Sequence, residues 1–502
     1  MENKKLLYFV LSFIFIWSAY NVFFVSDPED KVEIKATKST VSATDKYENK
    51  IISYQPPKES DLIEIESDSL LIKFDKKIGS IYSVDLKKYT ENNDKINIYR
   101  FQSQPLFYID ELAQENLVFE SNIKENYVLN DDETLILEFA SNYKTSEIIN
   151  KFIIKSDSYV IENDFTFTEL SNLNSLKLNF SFPDTDVDND LVFTGPTLYA
   201  NGDLVEIKSD DLKDQLHSYN FVDWIAYQYK YFAIGILPSK AFESITVSKI
   251  DNSIKYITDL DSVSDTSFNF SSDLYFGPKD VDYLNSVGSN FQHILNFGFF
   301  SILAKPLLAS IKFIYSIVGN YGFAIIAITV LIKLFFWPLT NKSYSSMKSM
   351  QKLQPEMQKI REKFKNDKEK LNKEIMNLYK ENRVNPLGGC LPMIVQIPVF
   401  FALYKVLMVS IELRQAPFIF HITDLSVKDP YYITPLIMGL TMFIQQKMSP
   451  TNLDPMQAKV MLIMPVVFTF MFLNFPSGLV LYWLVNNILT IGQQYYINNY
   501  KN

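Results

Sequence analysis

Cysteine occurs once in this 502-residue chain, at Cys390, so no intrachain disulfide can form. A soluble portion must then fold on its hydrophobic core alone. Histidine is almost as scarce: His217, His293 and His421 lie far apart, and with a single cysteine they make no metal-ligand spacing. No Gly-x-x-x-x-Gly-Lys and no Gly-x-Ser-x-Gly occurs. A recognisable nucleotide-phosphate loop and a nucleophile elbow are both missing. These absences leave no catalytic constellation, cofactor site or metal site, and the chain is not expected to be an enzyme. Arginine is rare too, with Arg100, Arg361, Arg383 and Arg414 the only four among 48 basic residues.

What is present divides into two unlike parts, although the mean hydropathy is near zero at −0.02. Residues 26–290 carry 25 Lys+Arg against 47 Asp+Glu, whereas residues 291–502 carry 21 against 10. An acidic soluble piece joined to a basic, apolar piece points to a membrane protein with a large domain on one side.

Leu6 to Val25 is an uncharged run of 20 residues behind Lys4 and Lys5. A cleavable signal peptide is the rival reading, but the run is long for an h-region and no Ala-x-Ala follows it. Residues 1–25 are therefore read as an uncleaved anchor with a cytoplasmic N-terminus. Residues 26–60, polar and carrying Pro56-Pro57, read as a flexible tether. From 61 to 290 the pattern is short runs of period two. Ile63 and Ile65 alternate with Glu64 and Glu66, and Leu176, Leu178, Phe180 and Phe182 with Lys177, Asn179 and Ser181. Such runs predict a large antiparallel β-sandwich domain. Over 291–320 the face Ser301, Lys305, Lys312 and Ser316 opposes phenylalanine, isoleucine and leucine, which predicts an amphipathic helix lying in the membrane interface. A spanning helix is the alternative there, opposed by Pro306 and the lysines.

Five spans are predicted over 321–502: Gly322–Leu339, Leu391–Ile411, Tyr431–Gln446, Val460–Phe475 and Gly478–Ile497. With the anchor this makes six transmembrane helices. The intervening segment 341–388 holds 12 Lys+Arg and six acids, so it is placed in the cytoplasm, with the C-terminus. Residues 26–320 and the 412–430 loop then lie outside. Within 341–388, Tyr344, Met347, Met350, Leu353, Met357, Ile360 and Phe364 recur at threes and fours, and Leu371, Ile375 and Leu378 repeat the spacing after Asn366-Asp367. This predicts a helical hairpin with a coiled-coil seam, kinked at Pro355. Its charge serves either as a solvated face and topology signal or as a docking surface.

The most telling residue is Lys333, a cation inside the uncharged run Gly322–Leu339. Insertion scales set its penalty at roughly 3 kcal/mol, which marks it as a functional candidate. Thr329 lies one turn away on the same face. Trp483, Asn487, Thr490 and Gln494 make a polar stripe in the last span, and Gln396 sits between Pro392 and Pro398. Together these groups form the lining expected of a wet cavity. Each has a plain alternative: Lys333 snorkels past Trp337-Pro338, Thr329 bonds its own backbone, and the stripe bonds between helices. Lys405 is read as a snorkeller, and Cys390 as packing.

Several long motifs in order resemble one family. They are Asn385-Pro-Leu-Gly-Gly-Cys-Leu-Pro392, Glu412-Leu-Arg-Gln-Ala-Pro-Phe418, Asp424-Leu-Ser426, Gln446-Lys-Met-Ser-Pro450 and Phe475-Pro-Ser-Gly-Leu-Val-Leu-Tyr482. Tyr275-Phe-Gly-Pro278 and Val318-Gly-Asn-Tyr-Gly-Phe323 fit the approach to that core. The chain is identified from them as resembling the Oxa/Alb/YidC family of membrane protein insertases, in its Gram-negative form.

The resemblance implies a multi-domain, polytopic α-helical membrane protein of the inner membrane. Five of its six transmembrane helices form the insertase core around a hydrophilic groove, and the all-β domain is a periplasmic β-super-sandwich. It implies a membrane insertase and chaperone for nascent hydrophobic segments, alone or with Sec translocon components, without nucleotide hydrolysis and without a cofactor. By position, Lys333 occupies the groove-cation site, where bacterial members typically have arginine; Thr329 matches the groove threonine. Trp483 follows Tyr482 where many members have tyrosine, and Gln396, Tyr482, Trp483 and Asn487 complete the expected client-binding set. Lysine keeps the charge but not the bidentate fork. The C-terminal stretch Tyr496–Asn502 has one lysine, so the ribosome contact linked to basic tails in relatives is weakly supported. A transporter or channel is disfavoured by the lack of an inverted repeat. A scaffold that merely anchors the outer domain is disfavoured by the polar stripe and the basic hairpin.

Overall fold

The computed structural model of the chain describes residues 41–42 and 56–500, apart from 92–93, 102–103, 114–116, 145, 169–174, 185–191, 213–214, 251, 262–266, 366, 383, 385–390 and 449–454. The expected anchor at 1–25, nearly all of the tether and the Asn385–Cys390 motif fall outside the described residues. The chain forms two compact units, 1–295 and 296–502.

The first unit is antiparallel β almost throughout. One sheet has five strands, in the order Asp94–Arg100, Ser80–Glu91, Leu70–Asp75, Leu62–Glu66 and Tyr127–Val128, the last pair parallel. The other has 14 strands among the described residues. At its centre lies Phe232–Pro238, buried along its whole length, between Gln215–Gln228 and Ser267–Pro278. Alternation places Ile63 and Ile65 inward at complete burial. They face Phe74 and Ile72 across the ladder. The two sheets pack through aromatic rings, with Phe74 4.9 Å from Phe152 and 5.9 Å from Phe139. The strand Ser175–Pro183 departs from polar-outward alternation: Asn179 and Ser181 are buried along with the apolar residues. The strand is covered on both faces, and Asn179 meets the need for a partner by bonding Asp110. Helix α1, Val281–Val287, follows the sheet, its first amides capped by the Asp280 carboxylate.

The second unit is helical. Helix α2, Ser301–Val318, runs unbroken through Pro306, burying Ala304, Leu308 and Ile311 and exposing Ile302, Phe313 and Ile317. Pro306 therefore does not interrupt it. Helix α3, Tyr321–Phe335, stops where the chain bends by 62° into α4, Trp337–Lys352. Pro338 sits in the first turn of α4, where its missing N–H leaves no bond unmade. Helices α5, Gln354–Lys363, and α6, Lys368–Glu381, close a hairpin over Leu353, Met357 and Leu378, with Ile360 and Ile375 alongside. Pro355 lies in the first turn of α5 and Asp367 caps α6, so the break and the turn stand where their residue types favour them. Then come α7, Leu391–Val409; α8, Ile433–Met448; α9, Pro455–Phe472; and α10, Ser477–Tyr500.

By length and composition, one helix among the described residues, Gly298–Val318, is apolar enough to cross a membrane alone, and the bent pair α3–α4 is a second candidate. The sequence predicts five spans here. The difference has local causes: the bend shortens α3, Gln445, Gln446 and Lys447 lower the hydropathy of α8, and Gln396–Val409 and Met461–Phe472 count only as shorter apolar helices.

Candidate functional site

Helix periodicity assembles the site from three elements. Thr329 and Lys333 are one turn apart on α3; Tyr482, Asn486 and Thr490 form an i, i+4 ladder on α10; Gln396 comes from α7. Lys333 is 8% exposed. Its Nζ donates to Thr490 Oγ1 at 2.7 Å and to Asn486 Oδ1 at 3.4 Å. Asn486 Oδ1 also accepts from Gln396 Nε2 at 2.7 Å, so one amide oxygen joins all three helices. Thr490 passes its own hydroxyl proton to the Asn486 carbonyl at 2.6 Å, which orients its lone pairs toward the ammonium. Tyr482 is buried and hydrogen-bonded to Gln396.

The described residues set no carboxylate against Lys333. Its ammonium has three donors and two neutral protein acceptors. Burying a cation on neutral oxygens alone is unfavourable, so the arrangement favours an arriving anion. Beside it lies a small cleft of about 20 Å³, lined by Thr329, Ile332, Lys333, Phe336, Leu339, Thr340, Gln396, Tyr482 and Asn486. That admits one water.

The remaining expected residues lie elsewhere. Thr329 lines the cleft, but its hydroxyl donates to Ile325 O at 2.6 Å on its own helix. Trp483 turns away into an aromatic cluster, 4.8 Å from Phe400 and 5.3 Å from Phe472. Asn487 Nδ2 donates to Thr441 Oγ1 at 3.2 Å, tying α10 to α8. Further along α10, Gln493 Nε2 donates to Asn341 Oδ1 at 3.0 Å, and Gln494 bonds Tyr344. Lys333, Thr329, Gln396 and Tyr482 thus share the cleft, whereas Trp483 and Asn487 face neighbouring helices. Asn486 is the residue that sequence reasoning passes over. Its signal is the four-residue ladder with Tyr482 and Thr490.

Comparison with known proteins places the chain in a family. Residues 62–310 match the family described as the YidC periplasmic domain, and residues 313–502 match the 60Kd inner membrane protein family. A membrane protein insertase YidC from Geotalea daltonii is 45% identical over 462 residues, covering 87% of this chain and 86% of the relative. The chain belongs to the YidC membrane protein insertase family.

A second YidC, from Geobacter sulfurreducens, is 54% identical over 311 residues, and this match spans 61% of the chain and 58% of the relative. Among solved structures, an active YidC insertase with its first transmembrane domain resolved covers 90% of this chain and 95% of its own, at 17% identity and a TM-score of 0.41. The β unit is accordingly the YidC periplasmic domain, and the protein belongs to the inner membrane. As in the YidC insertases it resembles, its work is membrane protein insertion and not catalysis.

Proposed function

We propose that this YidC-family insertase moves the polar parts of client segments across the membrane through the cleft around Lys333. The observation that carries the reading is a buried ammonium held, among the described residues, by neutral oxygens of Thr490 and Asn486, beside a cleft with polar and apolar walls. A client carboxylate gives Lys333 an acceptor of opposite charge and is spared part of its desolvation penalty. The apolar part of the client then partitions sideways into lipid, driven by roughly 25 cal/mol per Å² of apolar surface. No nucleotide is consumed: burial of the segment and, for acidic tails, the membrane potential supply the driving force.

The topology that fits is six transmembrane helices, the anchor at 1–25 and five in the core; α2 is apolar enough to span, but Lys305 and Lys312 on one face favour the interface. Both termini and the 341–388 hairpin are cytoplasmic and residues 26–320 periplasmic. The excess of basic residues in the hairpin supports this orientation. The apolar seam that fastens the hairpin leaves Lys352, Lys359, Lys363, Lys370, Lys373 and Lys380 exposed, suited to meeting an emerging segment. Nascent membrane proteins and the bilayer are the partners the cleft serves; Sec translocon components are proposed as further partners, and ribosome contact as a weaker one.

Complementation of insertase-depleted cells with Lys333→Arg, Lys333→Ala and Lys333→Glu tests the cleft. Arginine is expected to support growth, alanine to impair clients with charged tails, and glutamate to fail. Equal growth with all three would show that the charge is incidental.

A further inference from the structure

Residues 411–432 join α7 to α8 in a loop built as a rigid bracket. Leu425 N donates to Ala416 O at 3.0 Å and Phe418 N to Ile422 O at 3.0 Å, while Ile411, Leu413, Ile422 and Leu425 are buried beneath. The bracket is fastened to two of the three helices that carry the Lys333 site. On α3, Asn320 Nδ2 donates to Pro417 O at 3.0 Å, and Phe418 packs on Gly322 and, at 5.3 Å, on Phe323. On α10, Ser477 N and Gly478 N donate to Val427 O and Leu425 O at 2.7 and 2.9 Å, satisfying amides that a helix start leaves open. Asp429 ties the far side, accepting from Tyr431 N, Thr434 N and His421 Nε2 at 2.9, 2.8 and 3.0 Å.

From this frame one side chain is thrust outward. Phe420 is 94% exposed and has φ +55°, a left-handed conformation that bulky residues rarely adopt. Tyr432 shares that conformation at φ +57°, and Tyr431, Ile419 and Val427 are exposed around it. The tip Gln415–Thr423 contains no Asp, Glu, Lys or Arg. A loop in water gains nothing from holding a strained phenylalanine in solvent. Continuity identifies its neighbour: Tyr431 and Tyr432 lead directly into α8, whose Ile433, Leu436, Ile437 and Leu440 form an exposed apolar row. An aromatic patch with a charge-free tip, at the end of an apolar helix face, suits the boundary between headgroups and acyl chains.

We infer that the 411–432 loop is an interfacial foot: Phe420, with Ile419 and Tyr431, enters the lipid leaflet opposite the hairpin and steadies the outer ends of α3 and α10. The inference rests on the orientation proposed above for its choice of leaflet. The test uses the full-length protein in proteoliposomes, comparing F420W with its parent, which already holds Trp17, Trp224, Trp337 and Trp483. The added emission is expected to be blue-shifted, to lose most of its intensity in lipids brominated near the carbonyl end of the acyl chain, and to resist aqueous iodide. Emission quenched by iodide and not by brominated lipid overturns the foot in favour of a solvent-facing loop. Blue-shifted emission that neither agent quenches overturns it in favour of a protein-covered one. Orientation is read separately with an impermeant maleimide on K370C and T423C in a C390S background. Labelling from one side refutes the orientation while lipid contact stands. Labelling from opposite sides without bromine quenching overturns the foot alone.

Discussion

At the scale of single residues, the cleft turns on one shared oxygen. Asn486 Oδ1 receives both Gln396 and Lys333, so it holds the cation without neutralising it. Asn486→Asp is expected to supply the missing anion, raising the thermal stability of the detergent-solubilised protein while lowering insertion of clients with acidic tails. Asn486→Leu removes the acceptor and should destabilise by about 1–3 kcal/mol. If both variants inserted acidic-tailed clients as well as the parent, Lys333 would have no role in receiving them. Lys333 and Thr329 were legible in the sequence, because a charge and a hydroxyl in an apolar run need no partner to be noticed. Asn486 was not, because Tyr482/Asn486/Thr490 and Trp483/Asn487/Thr490/Gln494 are adjacent stripes of one helix. Which of them faces α3 is a matter of rotation about the helix axis.

At the scale of elements, close approaches decide where helices and loops can sit. A Cβ on Gly322 would overlap the Phe418 ring that seats the 411–432 loop on α3. Gly322→Ala is therefore expected to cost about 1–3 kcal/mol by overpacking. Phe418→Leu should recover part of this loss, a non-additivity measurable in a double-mutant cycle by thermal unfolding. Additive effects would mean the two do not touch. The Gly439–Thr469 contact between α8 and α9 is of the same kind. Proline illustrates the limits of local reading. Pro306 lies within a continuous α2, whereas Pro338 and Pro355 open new helices after a bend or a break. The missing N–H is the same in each; neighbouring packing determines whether the helix continues.

At the scale of the whole molecule, the acidic β unit and the basic helical unit answer to different conditions. Buried Lys279 belongs to the former, donating to Gln228 Oε1 at 3.2 Å. Burial lowers its pKa to about 8, against a weaker opposing pull from Glu206. Below pH 8 it is charged in both folded and unfolded chains, and its burial weighs fully against folding. Between pH 8 and its usual value near 10.5 the unfolded chain holds a proton that the folded one has released, so this contribution improves as pH rises. Lys279→Met is expected to stabilise the β unit at pH 7 by up to roughly 3 kcal/mol, with the advantage shrinking toward pH 10. Chemical unfolding of the full chain followed by near-UV circular dichroism measures it; a pH-independent difference would refute the assignment. In the 411–432 loop, burial alone would raise the Asp429 pKa. Bonds from His421 and the Thr434 and Tyr431 amides outweigh burial and hold it down at about 2, so the bracket stays tied through the physiological range.

Composition and periodicity by themselves determined the division into an acidic β part and a basic helical part, the β-strand alternation of Ile63 and Ile65, the hairpin seam around Met357, and the placing of Lys333 within an apolar run. These are properties of neighbouring residues, set by backbone geometry and by the transfer of side chains out of water. Only the tertiary structure decided which polar groups meet. Lys333 and Thr490 are 157 residues apart, and nothing local to either selects the other. It also decided that Trp483 packs among phenylalanines while Phe420 points outward, since both choices follow from how helices are rotated and loops are fastened. Such rotations are settled by close contacts at Gly322 and Gly439 and by the sharing of one Asn486 oxygen, whose partners come from helices far apart in the chain.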